Sequence, residues 1–189
     1  LEKGIELKIK NWEIIEESTG GNRLKPGGYV VKIVDVEDVP SREYLNIVYD
    51  IAEGEFAGHY SDSFGKNNPW AHQFVRSYKE SAEGMFKAFL TRMEESNKRI
   101  NGFNVAAWQK TSDERAFIGN ELGIVLQTEK YTNNKGEDKE RLQVVGVYAA
   151  QDIRNGDFKL PEPTDRREGA GTATAPAASK AVYDEDIPF

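Results

Sequence analysis

The chain has 189 residues, a formal net charge of −7, no cysteine and two histidines. That length holds one domain of ordinary size with a tail, or two very small domains, and the first suits the composition better. The missing cysteines exclude disulfides and thiolate zinc sites, and two histidines are too few for most histidine-based metal centres. Residues 160–189 hold six acids and three bases, a net of −3, which leaves −4 for residues 1–159. A generally basic face is therefore not expected, and any nucleic-acid surface must be a local cluster of Lys, Arg and aromatic side chains. Leu1, Glu2, Lys3 and Gly4 open no apolar leader, and no stretch of 18 apolar residues occurs. The expectation is a cytoplasmic protein with no membrane segment.

In chain order, Ile5, Leu7 and Ile9 alternate briefly before a Gly-rich loop from Gly20 to Gly28. Strong β-branched alternation predicts strands over Tyr29–Val36 and Tyr44–Ile51, joined as a hairpin by the turn at Val39, Pro40 and Ser41. Leu45, Ile47, Tyr49 and Ile51 share one face of the second strand, which is the face expected to be buried. A turn at Glu53, Gly54 and Glu55 predicts a short third strand over His59–Phe64 and then a polar loop to Pro69. Trp70, Phe74 and Tyr78 keep helical spacing after Pro69. Ala82, Met85, Phe86, Phe89, Leu90 and Met93 form one apolar stripe on a helix over Ser81–Ser96, and core packing is the ordinary reading of that stripe.

Residues 101–119 read as a loop with a short helix near Val105–Gln109. Strands over Leu122–Tyr131 and Arg141–Tyr148 flank Thr132, Asn133, Asn134, Lys135, Gly136 and Glu137, which predicts a long hairpin. Beyond Phe158 the chain turns to Pro161, Pro163 and then a Gly, Ala, Thr and Ser stretch from Gly169 to Ser179. Such a segment buries too little apolar surface to offset its chain entropy, so residues 160–183 are expected to be a disordered linker. The expected class is mainly β, an OB-fold-like barrel with one substantial inserted helix between the third and fourth strands and a disordered C-terminal tail.

The last six residues, Asp184, Glu185, Asp186, Ile187, Pro188 and Phe189, carry the strongest signal. Three acids give attraction to a basic pocket rim, Ile187 and Phe189 supply apolar anchors, and Pro188 lowers the entropy lost on docking. An ordinary solvated acidic end is the alternative. This peptide resembles the acidic tip of bacterial-type single-stranded DNA-binding proteins, which combine an OB-fold, a disordered linker and an Asp-rich tip ending in Ile-Pro-Phe. The body is similar to the divergent forms encoded by bacteriophages, through Tyr29–Glu55 and Asp152–Pro161, which would place it in the bacterial host cytoplasm. The resemblance implies a DNA-binding domain over residues 1–159, a linker over 160–183 and a protein-interaction tip over 184–189. It further implies coating of single strands during replication, recombination or repair, and recruitment of other proteins of those processes through Asp184 to Phe189. No cofactor, metal or catalytic residue is expected, and homo-oligomerisation is left open.

A sequence-tolerant single-strand binder needs cations for the backbone and aromatic faces for the bases. Three stretches combine them: Tyr60, Phe64, Lys66 and Trp70 with His59 nearby; Lys130, Tyr131, Lys135, Lys139 and Arg141 around the long hairpin; and Trp108 beside Lys110 and Arg115. Core burial competes as the explanation of Trp70 and Trp108. Glu129, Glu137, Asp138 and Glu140 interleave with the hairpin cations, so that loop could simply be a solvated surface. Two other functions are open at this level. Asp35, Asp38, Glu43 and Asp50 could hold the metal of a nuclease, although strand-edge charges more often prevent aggregation. An adaptor that works through the tip without holding DNA is the other.

Overall fold

In the computed structural model, residues 24–61, 63–98 and 102–167 are described, without the side chains of 63 and 64. Five strands form one sheet: β1 (Gly27–Val39), β2 (Tyr44–Ile51), β3 (Gln73–Ser77), β4 (Glu121–Thr132) and β5 (Asp138–Tyr148). Their order is β3-β2-β1-β4-β5, antiparallel throughout, and the two-residue strand β6 (Thr164–Asp165) joins β4 in parallel. The helices are α1 (Ser63–Asn67), α2 (Glu83–Ser96), α3 (Val105–Trp108) and α4 (Ala150–Asn155). The fold is thus mainly β, an open sheet with one main helix between β3 and β4. No described helix is long and apolar enough to cross a membrane.

The period of two sets the core. Leu45, Ile47, Tyr49 and Ile51 of β2 are all buried, as their alternation predicts, beside Val31 and Ile33 of β1 and Leu122, Ile124 and Leu126 of β4. A bulge between Ile33 and Asp35 pushes Val34 outward and restores the inward parity at Val36. Over this face lies α2, whose Phe89, Leu90 and Met93 are buried in the same cluster. Asn97 fastens the helix end to β4: its side chain donates to Glu121 O at 2.9 Å and accepts from Glu121 N at 3.0 Å.

The opposite face of β4 carries Gly123, Val125, Gln127 and Glu129, and it is covered by α4 and the chain that follows. Gly123 is required by this approach. A Cβ there would stand 2.6 Å from Ile153 Cγ1 and 2.7 Å from the Ala149 carbonyl oxygen.

Two expectations are corrected. The described residues of 59–64 form no strand: Ala57, His59 and Ser61 close successive turns onto Gly54, Phe56 and Gly58, and Gly54 and Gly58 adopt the left-handed backbone that permits them. The third strand is instead Gln73–Ser77, so the helical spacing of Trp70, Phe74 and Tyr78 is coincidental. Pro69–His72 make one 3-10 turn, after which Phe74 faces the core in register with Ile47. Residues 160–167, which composition assigns to a linker, also lie against the body. Gln127 Nε2 donates to Pro161 O, β6 pairs with Glu129 and Lys130, and Arg166 N donates to Lys130 O at 2.8 Å. Prolines and polar residues suit such a strap, because its energy comes from backbone pairing and not from apolar burial.

Candidate nucleic-acid interface

Register determines which loops leave the sheet at the same end. The last β1 to β4 pair is Gly27 with Leu126, and β4 then runs on to Thr132 with β5 along one edge and β6 on the other. The outer six residues of β4 therefore project beyond β1 by roughly 20 Å at ordinary strand rise. The β2 to β3 connection, residues 52–72, leaves the sheet at this same end, because Ile51 pairs with Val31 and Gln73 with Val48. Two of the three aromatic and basic stretches are thus delivered to one end of the sheet.

In the connection, Tyr60 is half-buried and stacks on His72 with ring centroids 4.3 Å apart and planes 7° from parallel. His72 is buried, with Nδ1 against Tyr49 O and Nε2 3.0 Å from Gly65 O, so it ties α1 to β2. Burial and the neighbouring Asp50 carboxylate push the Tyr60 hydroxyl up to about 12, so it stays a neutral phenol at ordinary pH. Tyr60 is consequently a partly built-in ring and less available to a base than its polar surroundings suggest. Trp70 differs: it is 67% exposed, and its Nε1 donates to Asn68 Oδ1 at 3.2 Å. An indole left in water at the rim of a 3-10 turn offers a face for stacking. Lys66 is exposed in α1 nearby, whereas the Phe64 side chain lies outside the described residues.

On the hairpin, the Arg141 guanidinium lies over the Tyr131 ring, 4.8 Å from its centroid. Beneath them Glu129 is fully buried and accepts from Arg141 Nε at 2.7 Å, with Nη2 2.6 Å from the same Oε2. From the strap, Arg166 Nε stands 2.8 Å from Oε1, close enough to pair charges though not aligned for a hydrogen bond. Lys130 pairs with Glu140 at 3.4 Å and Lys139 with Glu137 at 3.2 Å, both exposed pairs that water screens and that are easily exchanged for a phosphate. Lys135 is exposed at the tip of the turn.

At the end of the strap Arg167 bridges Asp165 within it, with Nη2 2.5 Å from Asp165 Oδ2, and Asp138 of β5, with Nη1 3.4 Å from Asp138 Oδ2. The hydrogen bonds from Arg167 hold the Asp165 carboxyl down at about 2, against an ordinary 3.8. A lowered carboxylate stabilises the fold above its ordinary value and loses that contribution as pH falls through the lowered one. Wild type and Asp165→Asn should accordingly differ in stability above pH 4 and converge as pH falls toward 2. Chemical denaturation of both across that range checks this, and a gap at pH 2 as large as the one above pH 4 would refute it.

The third stretch is elsewhere. Trp108 is half-buried, packs on Phe86 and Phe117 at 5.9 and 5.4 Å, and donates through Nε1 to Asp113 O at 3.0 Å. Phe86 in turn meets Tyr78, whose hydroxyl donates to Asp38, so this cluster sits toward the opposite end of the sheet. Burial explains Trp108, and Arg115 is engaged with Asp113 at 3.0 Å. The four carboxylates of the first hairpin also stay apart in role. Asp50 Oδ1 accepts from Ile51 N and Tyr60 N, Asp38 from Tyr78, and among the described residues no group of three or more His, Asp or Glu is placed to hold a metal ion. Asp184 to Phe189 lie outside the described residues.

Sequence reasoning missed two participants. Glu129 reads as one more solvated acid of the hairpin, yet it is the buried centre of the corner. Arg166 reads as linker. The available signal was parity, since Gly123, Val125, Gln127 and Glu129 share a face that continues an apolar one. Compared with known proteins, the sequence matches no family model and no curated protein.

Proposed function

We propose that the protein binds single-stranded DNA without sequence preference at the end of the sheet formed by residues 52–72 and the β4–β5 hairpin. Asp184 to Phe189 would recruit replication, recombination or repair proteins to the coated strand. The observation that carries the reading is the delivery to one end of the sheet of a 67% exposed Trp70 and a Tyr131 ring stacked with Arg141. Lys66, Lys130, Lys135 and Lys139 would supply backbone contacts. The strand order supports it too: β3-β2-β1-β4-β5, with the helix between β3 and β4, is compatible with a partly open five-stranded barrel of the OB type. The reading assigns no catalytic group and needs no cofactor.

Fluorescent oligo-dT titrated with the full chain, with duplex DNA as control, tests it. Trp70→Ala should weaken binding roughly five- to 150-fold, the equivalent of about 1–3 kcal/mol for a lost stacking partner, with the melting temperature unchanged. Equal affinity of wild type and variant would remove Trp70 from the interface. The adaptor reading is favoured by the exposed acids Asp35, Glu37 and Asp38 on β1. Absence of single-strand binding across the whole salt range would favour it.

A further inference from the structure

We propose that His72 is the positioning residue of the single-strand site and acts as the imidazolium, holding Trp70 and Lys66 in place while it carries its second proton. This rests on the single-strand reading above. The β2–β3 ladder ends where Val48 meets Gln73, and His72 is the next residue along. Its ring is buried and faces two carbonyl oxygens, with Nδ1 against Tyr49 O of β2 and Nε2 3.0 Å from Gly65 O of α1. A neutral imidazole donates from one nitrogen and presents a lone pair at the other, whereas a carbonyl oxygen only accepts. Both contacts are therefore hydrogen bonds only when both nitrogens carry protons. In the neutral ring one of them sets lone pair against lone pair in a site closed to water.

The two contacts reach both candidate DNA groups of the connection. Gly65 precedes Lys66 in α1, and Trp70 shares the Pro69–His72 turn with the imidazole itself, so one proton joins α1, the turn and β2. α1 is seated so closely that a Cβ on Gly65 would stand 2.1 Å from the Tyr60 carbonyl oxygen. The Tyr60 ring lies parallel over the imidazole with centroids 4.3 Å apart, and an aromatic face attracts a cation. Among the described residues, Tyr49 of β2 meets the imidazole edge-on at 6.1 Å. Burial pushes that phenol up, as it does Tyr60, so both stay neutral where histidines exchange their proton. The Asp50 carboxylate accepts from Tyr60 N at 2.9 Å, His59 stands edge-on to Tyr60 at 4.8 Å, and Lys66 follows Gly65.

The test titrates oligo-dT into the full chain at about pH 5.5 and about pH 8, a span in which histidine side chains change charge. The clamp is present with the second proton bound and is lost as pH rises. Wild type should therefore bind roughly tenfold more weakly at the higher pH, as a lost hydrogen bond from a charged donor allows. His72→Gln, which keeps a donor but cannot gain a proton, should bind equally at both pH values. His59→Gln should keep the wild-type drop. Nitrogen-15 spectra of the two histidine rings of the wild-type chain need no variant. By linkage, bound oligo-dT should keep both His72 nitrogens protonated to a higher pH than in the free chain. A drop that persists in His72→Gln, or a His72 ring that titrates identically in the free and bound chain, overturns the proposal while leaving the single-strand reading standing. No binding by wild type at either pH overturns both.

Discussion

Phe117→Ala is expected to destabilise the fold by about 3–5 kcal/mol, the usual cost of deleting a fully buried ring. Phe117 is 0% exposed, at the centre of an aromatic cluster: Phe89 at 5.5 Å, Phe103 at 5.4 Å and Trp108 at 5.4 Å. These partners come from α2, the segment before α3, and α3 itself, so one ring joins the whole connection between β3 and β4 to the sheet. The connection cannot close over the gap easily, because Ile118 N, Gly119 N and Asn120 N are already engaged with Arg115, Ile33 and Phe117 carbonyls. Urea unfolding of both proteins measures the loss, and a melting point lowered by roughly 6–20 °C should accompany it. A cost under about 1 kcal/mol would mean that this aromatic cluster is not part of the cooperative core. Single-strand binding by the folded fraction should persist, since the cluster lies toward the opposite end of the sheet from Trp70.

Much of the sheet was legible because alternation and burial agree. Tyr44–Ile51 emerges with the expected bounds, and the stripe of Phe89, Leu90 and Met93 names the helix that covers the core. The third strand was not legible, because five residues, Gln73–Ser77, carry too short a pattern to outweigh an apparent helical spacing around them. Its identity comes from pairing with β2, a tertiary fact. Within the candidate site, exposure divided the aromatics in a way composition could not. Core burial competes for Trp70 and Trp108 alike on residue type, yet one stands in solvent and the other closes a cluster. The strap was hidden for a further reason. Parallel pairing by two residues and a salt bridge to a buried acid leave almost no hydrophobic trace.

That buried acid yields the second large effect. Arg141→Gln and Arg166→Gln made singly each leave Glu129 one cationic partner, so each should cost only about 1–1.5 kcal/mol, the scale of a modest hydrogen-bond loss. Combined, they leave a fully buried carboxylate with no opposite charge. A buried pair stripped of its partner typically costs about 3–5 kcal/mol, because desolvation of the remaining ion is no longer offset. The double variant should therefore lose more than the sum of the singles, and Glu129→Gln added to it should recover most of the difference. Strict additivity in denaturant unfolding would show that the two arginines do not share Glu129. The expected coupling instead makes Glu129 the point where the hairpin and the strap are held as one unit.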